Sequence, residues 1–111
     1  MQVTVRHRDF ETGAQKLVAI VQAPSELDLN GQLEFAWVKT QNIDGSWSYG
    51  PTLPGGERNP DFSDAVRVIA PLPELNGRRY GHRSSMVGDH FTLGAAVYRC
   101  AQIGFEKVIG Q

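Results

Sequence analysis

The densest chemistry in the chain lies in Arg78-Arg79-Tyr80-Gly81-His82-Arg83-Ser84-Ser85-Met86-Val87-Gly88-Asp89-His90, where three arginines, two histidines and two serines fall within thirteen residues. With the histidines neutral, three arginines against one carboxylate leave this segment at +2. Guanidinium forks match phosphate or carboxylate oxygens bidentately, seryl hydroxyls and exposed amides add donors, and Tyr80 offers a stacking face. Those ingredients suit an anion or a single-stranded nucleic acid held by Arg78, Arg79, Tyr80, His82, Arg83 and Ser84. The same residue types also serve a plainer end. Arg78 and Arg79 are then solvated loop charges, Arg83, Ser84 and Asp89 tie the loop together by hydrogen bonds, and Val-Gly-Asp is a turn into the next strand.

His82 or His90 with Ser84 or Ser85, and Asp44 or Asp89 behind, carry the residue types of a nucleophile, a base and its orienting carboxylate. No strand-turn-helix elbow of the Gly-x-Ser-x-Gly kind surrounds either serine, so no catalytic residue is assigned. His7, His82 and His90 lack helical ligand spacing, and the single Cys100 has no Cys-x-x-Cys partner, which argues against a metal site or a cofactor bound through one. Beside Tyr98 in an apolar run, Cys100 reads as an inert buried thiol. Trp47 and Tyr49 sit in a Gly/Ser/Asp turn. There they either pack against the domain or form an exposed anchor for a protein partner.

These groups depend on the elements around them. Val3 and Val5 alternate with Gln2, Thr4 and Arg6, the period of a half-buried strand over residues 2–8. A second strand over residues 16–23, with Leu17, Val18, Ile20 and Val21, follows a loop longer than two residues and ends at Pro24. Ser25-Glu26-Leu27-Asp28 has the spacing of a helix start. Leu29, Leu33, Ala36, Trp37 and Thr40 then form one stripe at spacings of three and four, though Gly31 weakens the first turn by about 1 kcal/mol. Leu33, Phe35 and Trp37 also fit an alternating strand, and length favours the helix. Residues 42–50 are dense in turn formers, and residues 51–64, rich in Pro, Gly and polar residues, are expected to be the most mobile stretch. A short strand is predicted over 65–70, closed by Pro71 and Pro73, then a long polar connection over 74–90. A hairpin of 91–93 and 96–102 across Gly94-Ala95 follows, with a terminal strand over 103–109.

The expected fold is α+β, a mainly antiparallel sheet with one principal helix packed on one face, in a single domain covering 1–111; a small β-barrel is the alternative. The core would be Val3, Val5, Leu17, Val18, Ile20, Leu33, Trp37, Val66, Val68, Val97, Tyr98 and Ile103. The length, 111 residues with 41% hydrophobic and 21% charged, fits one globular unit and excludes fibrous and low-complexity classes. Net charge is −1, with residues 1–60 at −2 and 61–111 at +1, which argues against a dedicated double-stranded-DNA binder while allowing a local basic patch. No apolar run nears the ~18 residues of a membrane span, and the start lacks the apolar segment of a signal peptide, so a cytoplasmic protein that does not engage membranes is expected.

Two stretches together carry a resemblance: Thr40-Gln41-Asn42-Ile43-Asp44-Gly45-Ser46-Trp47, and Arg83-Ser84-Ser85-Met86-Val87-Gly88-Asp89 with Tyr98-Arg99-Cys100-Ala101-Gln102-Ile103-Gly104-Phe105-Glu106. They resemble small uncharacterised proteins carried by phages, plasmids and integron cassettes. In these a helix runs into a Thr-Asn/Gln-x-Ile-Asp-x-x-Trp turn, followed by Arg-Ser-x-x-Val-Gly-Asp and a hairpin ending Tyr-x-x-x-x-x-Gly-Phe/Trp-Glu. The match covers about half the chain, and His90 stands where an aliphatic residue is usual. It implies a helix at 29–41, a C-terminal hairpin starting at Val87-Gly88-Asp89, and mobile-element cargo without an assigned activity. The sequence therefore points to a non-enzymatic binding module, an accessory protein of a mobile genetic element that contacts a protein partner through Trp47, Tyr49 and the Arg83 loop. The alternative is a nucleic-acid or phosphate-ligand binder through Arg78, Arg79, Tyr80 and Arg83. Homodimerisation through a sheet edge is also compatible with the pattern.

Overall fold

The computed structural model describes residues 1–69, 72 and 74–108, without the side chains of Glu74, Leu75, Arg78 and Arg79. Strands β1 (Gln2–Arg8) and β2 (Gln15–Gln22) form an antiparallel hairpin, helix α1 (Leu29–Lys39) follows, and β3 (Val66–Val68) returns beside β2. A small ladder of β4 (Glu74–Leu75) and β5 (Arg78–Arg79) comes next, then β6 (His90–Leu93), β7 (Ala96–Cys100) and β8 (Phe105–Lys107). The main sheet runs β3-β2-β1-β6-β7-β8, antiparallel throughout, with β1 and β6 at its centre. This is the expected α+β layer. The sheet is open, with β3 and β8 as its two ends, so the barrel alternative does not form.

One inserted residue explains much of the core. Val5 pairs with Ala19 while Arg6 pairs with Leu17, so Val18 is a bulge residue without an opposite number. Directly paired residues share a face. Beyond the bulge Leu17 therefore joins Arg6 on the side away from the helix, and Val18, Ala19 and Val21 go inside. Uninterrupted alternation would have placed Val18 with Ile20; Ile20, Leu17 and Val97 are instead half-buried on the outer face. The inner face is Val3, Val5, Ala19, Val21, Phe91, Leu93 and Cys100, closed from above by Leu33 and Ala36 of α1. Val66, Val68 and Tyr98 pack against this core as expected.

The helix begins later than the capping signal suggested. Asp28 rather than Ser25 is its N-cap, with the side chain accepting from Gly31 N at 2.8 Å. Its buried stripe is Gln32, Leu33, Ala36 and the cap residue Thr40, while Leu29 and Trp37 turn outward. Trp37 is 38% exposed and Ile103, in the turn before β8, is 93% exposed, so neither belongs to the core.

Residues 51–64 are tied down rather than loose. Buried Asn59 donates through Nδ2 to the carbonyls of Ser46 at 2.6 Å and Gly50 at 2.9 Å, and its Oδ1 accepts from Ser46 N at 3.1 Å. Asp61 Oδ2 accepts from Ile43 N at 2.7 Å and Gly45 N at 2.8 Å. Burial works to raise the pKa of Asp61, but these amide donors prevail and hold it below the usual carboxylate range. The expected long connection over 74–90 contains the β4–β5 ladder, turned by Asn76 and Gly77 at φ +53° and +79°; Asn-Gly is the pair that such a two-residue turn demands. The predicted strand over 65–70 is shorter, and Ala70, Pro71, Pro73 and Ile109 lie outside the described residues.

Candidate binding groove and the polar clamp beside it

Asp89, immediately before β6, is 0% exposed and saturated with donors. Arg83 grips it with both arms, Nη1 to Oδ2 and Nη2 to Oδ1, each at 2.7 Å. Arg8 N to Oδ1 and Met86 N to Oδ2, both 2.8 Å, complete the shell. Gly88 supports this geometry with φ +97°, in the left-handed region where a side chain would be strained. A buried carboxylate held by a bidentate guanidinium and two amides is a structural tie, and it leaves the half-buried Arg83 committed to Asp89.

The direction of the neighbouring hydrogen bonds follows from counting protons. At the end of α1 the Thr40 N–H turns to the Trp37 carbonyl, which leaves the carbonyl of buried Ala36 to the Thr40 hydroxyl at 2.9 Å. Thr40 has then spent its only proton, so in the 2.7 Å contact between Thr40 Oγ1 and Ser85 Oγ the donor is Ser85. Ser85 has in turn spent its own, and the 3.0 Å contact with His7 Nε2 is donated by the histidine. His7 thus carries its proton on the nitrogen facing Ser85, the wrong tautomer for a general base toward that hydroxyl. Asp89 Oδ2 approaches the same Nε2, at 3.8 Å, instead of orienting the ring from behind. The histidine ring that meets Ser85 is that of His7, and this arrangement is not a catalytic triad. Burial lowers the pKa of His7 to about 4, with Arg83 and His82 adding to that and Asp89 opposing it.

The other half of the clamp comes from the turn after α1. Trp47 is 2% exposed; its backbone N–H donates to Asn42 Oδ1 at 3.0 Å and its indole Nε1 to the Arg83 carbonyl at 2.8 Å. Asn42 donates from its backbone to Ser84 Oγ at 2.8 Å and from Nδ2 to the His82 carbonyl at 3.0 Å. His82 is buried and stacks on Trp47 with centroids 5.7 Å apart, and its N–H donates to Ser48 Oγ at 2.7 Å. Residues 40–47 and 83–89 are thus two halves of one hydrogen-bonded clamp.

This changes the standing of the candidate residues. Trp47, His82, Arg83 and Ser84 are brought together as structure, Trp47 and His82 buried and Arg83 and Ser84 half-buried, and the 2% exposed Trp47 offers nothing to a partner. Tyr49 is half-buried beside them, and its carbonyl accepts from Asn59 Nδ2 at 3.4 Å. Tyr80 is 43% exposed. Arg78 and Arg79 form β5, and their side chains lie outside the described residues.

The concave surface lies on the far side of Ser85. Between α1 and the β7–β8 turn runs an open groove of about 580 Å³, lined by Glu34, Trp37 and Val38 on one wall, Met86 and Val87 on another, and Cys100, Ala101 and Phe105 on the third. Helix α1 packs chiefly over β1 and β2, and the groove opens beside it over β7 and β8, with buried Cys100 and half-buried Phe105 in its lining. The apolar lining is open, with Trp37, Val38, Met86 and Val87 all more than a third exposed, and it is continued outside the groove by exposed Ile103. Burial raises the pKa of the Cys100 thiol, and the Asp89 charge adds to this, so at neutral pH it stays protonated and poorly nucleophilic.

No family model, no curated protein and no solved structure matches the chain. Among the described residues no three His, Cys, Asp or Glu side chains gather as a metal would require, and no helix is long and apolar enough to cross a membrane. Sequence reasoning missed the groove because each wall contributes only two or three apolar residues, from segments far apart in the chain. The available signals were Met86-Val87 inside an otherwise polar segment, Ile103 between Gln102 and Gly104, and Val38 off the helical stripe.

Proposed function

We infer that the protein is a non-enzymatic binding module whose groove between α1 and the β7–β8 turn holds a protein partner. The observation that carries this is the open apolar lining of Trp37, Val38, Met86 and Val87, continued by exposed Ile103 on the neighbouring surface. A small ligand needs an enclosing pocket with a few convergent polar groups, whereas a band that spreads over the surface suits a macromolecular contact. The catalytic alternative is disfavoured by the proton order through Thr40, Ser85 and His7. A role for the Arg83 loop in holding anions is disfavoured by the commitment of Arg83 to Asp89. A small accessory protein of a mobile element, which the sequence resemblance implies, would act through such a contact.

The test is retention of host protein by the tagged chain across a salt series, for wild type and for Val38→Asp with Met86→Asp. One protein retained at high salt by wild type and lost by the double variant supports the reading. Retention that survives the variant places the partner elsewhere, and no salt-resistant retention rejects a partner held by apolar contact.

A further inference from the structure

The sheet face turned away from α1 can be written out from the strand register. Across five strands runs a row of Arg67, Ile20, Thr4, Thr92 and Val97, and beside it a row of Leu17, Arg6, His90, Arg99 and Glu106. None of these ten residues is buried. The face carries three arginines and one histidine against a single carboxylate, although the chain as a whole has twelve acidic residues and a net charge of −1. The one carboxylate, Glu106, stands at the edge strand, 3.6 Å from Arg99, with both side chains more than half exposed. Such a pair is weak and exchanges readily with another anion. Arg6 is steadied by donating from Nη1 to Thr92 Oγ1 at 3.1 Å. His90 lies between Arg6 and Arg99; burial first, and then those two charges, push its pKa down, which is how a locally positive surface acts on a titrating neighbour.

We propose that this outer sheet face binds single-stranded nucleic acid through its phosphates, with Arg67, Arg6 and Arg99 as the contacts. Strand spacing of about 4.8 Å puts Arg6 and Arg99 about 10 Å apart and Arg67 about 20 Å from Arg99. Cations spread in this way do not converge on one small anion. They suit a flexible, regularly charged chain laid across the strands, with guanidinium forks taking phosphate oxygens. Between them lie His90 in one row and Thr4, Thr92, Ile20 and Val97 in the other, so among these ten residues one imidazole is the only ring to meet a base and the binding is largely indifferent to sequence.

The test is fluorescence anisotropy with a labelled single-stranded oligonucleotide of about 20 nucleotides, titrated with the intact protein at several salt concentrations. Three phosphate contacts give a slope of log affinity against log salt of about −2, with affinity in the micromolar range or weaker. Arg67→Glu with Arg99→Glu, both at exposed positions, weakens binding at least about tenfold, while Glu106→Gln tightens it by about twofold. Arg58→Glu, exposed but off this face, leaves it unchanged. Several results overturn the proposal: no binding at low salt, an unaffected double reversal, or an equal loss in Arg58→Glu. Polyglutamate competing as well as the oligonucleotide would assign the face to an acidic protein. Inorganic phosphate displacing the oligonucleotide at equal phosphate concentration would assign it to a small anion.

Discussion

The clamp and the groove lie back to back and share Ser85, yet they are opposites in chemistry. The clamp holds the residues that look reactive, Ser85, His7, Asp89 and Arg83, and each of them has its donors or acceptors met inside the molecule. The groove holds the plain ones, Val38, Met86 and Val87, with Ile103 beyond it, and about half or more of each is left open to solvent. The difference teaches that residue type is a poor guide to function by itself. What marks a site is a physical demand the fold leaves unmet: a satisfied carboxylate has stopped looking for a partner, and an exposed valine band has not.

The comparison breaks most easily at Asp89. Asp89→Ala leaves the Arg83 guanidinium and the amides of Arg8 and Met86 without their acceptor, at a cost of about 3–5 kcal/mol. Urea denaturation should show this as a loss of a large part of the total stability. Arg99→Ala, which removes only an exposed pair, should show almost none. If the two variants came out alike, the clamp would not be the stabilising unit described.

Acid is the next largest lever. The folded state holds His7 at about 4 against 6.5 unfolded, so the unfolded chain takes up the proton first as pH falls. The stability associated with neutral His7 is complete above pH 6.5, declines as pH drops toward 4, and amounts to about 3 kcal/mol. In His7→Gln, whose amide nitrogen can keep the donor to Ser85, the slope over that window should flatten. An unchanged slope would assign the acid sensitivity to other groups.

Breaking the proton relay is smaller. Ser85→Ala removes the acceptor of His7 and the donor to Thr40, and Thr40→Val leaves the Ala36 carbonyl unpaired, each costing about 1–3 kcal/mol. Because the two residues touch, the double variant should cost less than the sum; strict additivity in a double-mutant cycle would show that the chain of donors is not continuous. The smallest effect belongs to the groove. Val38→Asp, at a position half open to solvent, should change stability by no more than about 0.5 kcal/mol while removing partner retention. A large stability loss there would make the groove wall part of the core.

The helix, the N-terminal hairpin and the C-terminal hairpin were legible because their patterns are local. Period two in β1, caps and turn glycines, and the stripe of Leu33, Ala36 and Thr40 depend on neighbours in the chain. The bulge at Val18 was not legible, since an inserted residue leaves no mark on composition, and it alone moved Leu17 across the sheet. Trp47 was misplaced as a contact for the same kind of reason. Its turn is polar in sequence, and only the arrival of the Arg83 carbonyl and the His82 ring from 36 and 35 residues away makes it an interior.

By itself, then, the sequence determined the α+β class and the order of the main elements, because each follows from periodicity and local turn chemistry, while it left Arg83 open between a tie within its loop and a binding contact. Only tertiary structure decided that Thr40, Ser85, His7 and Asp89 meet, that α1 packs chiefly over β1 and β2, and that three arginines share one outer face. Those facts rest on strand order and register, which are set by long-range packing of the whole sheet and cannot be read from any one stretch of it.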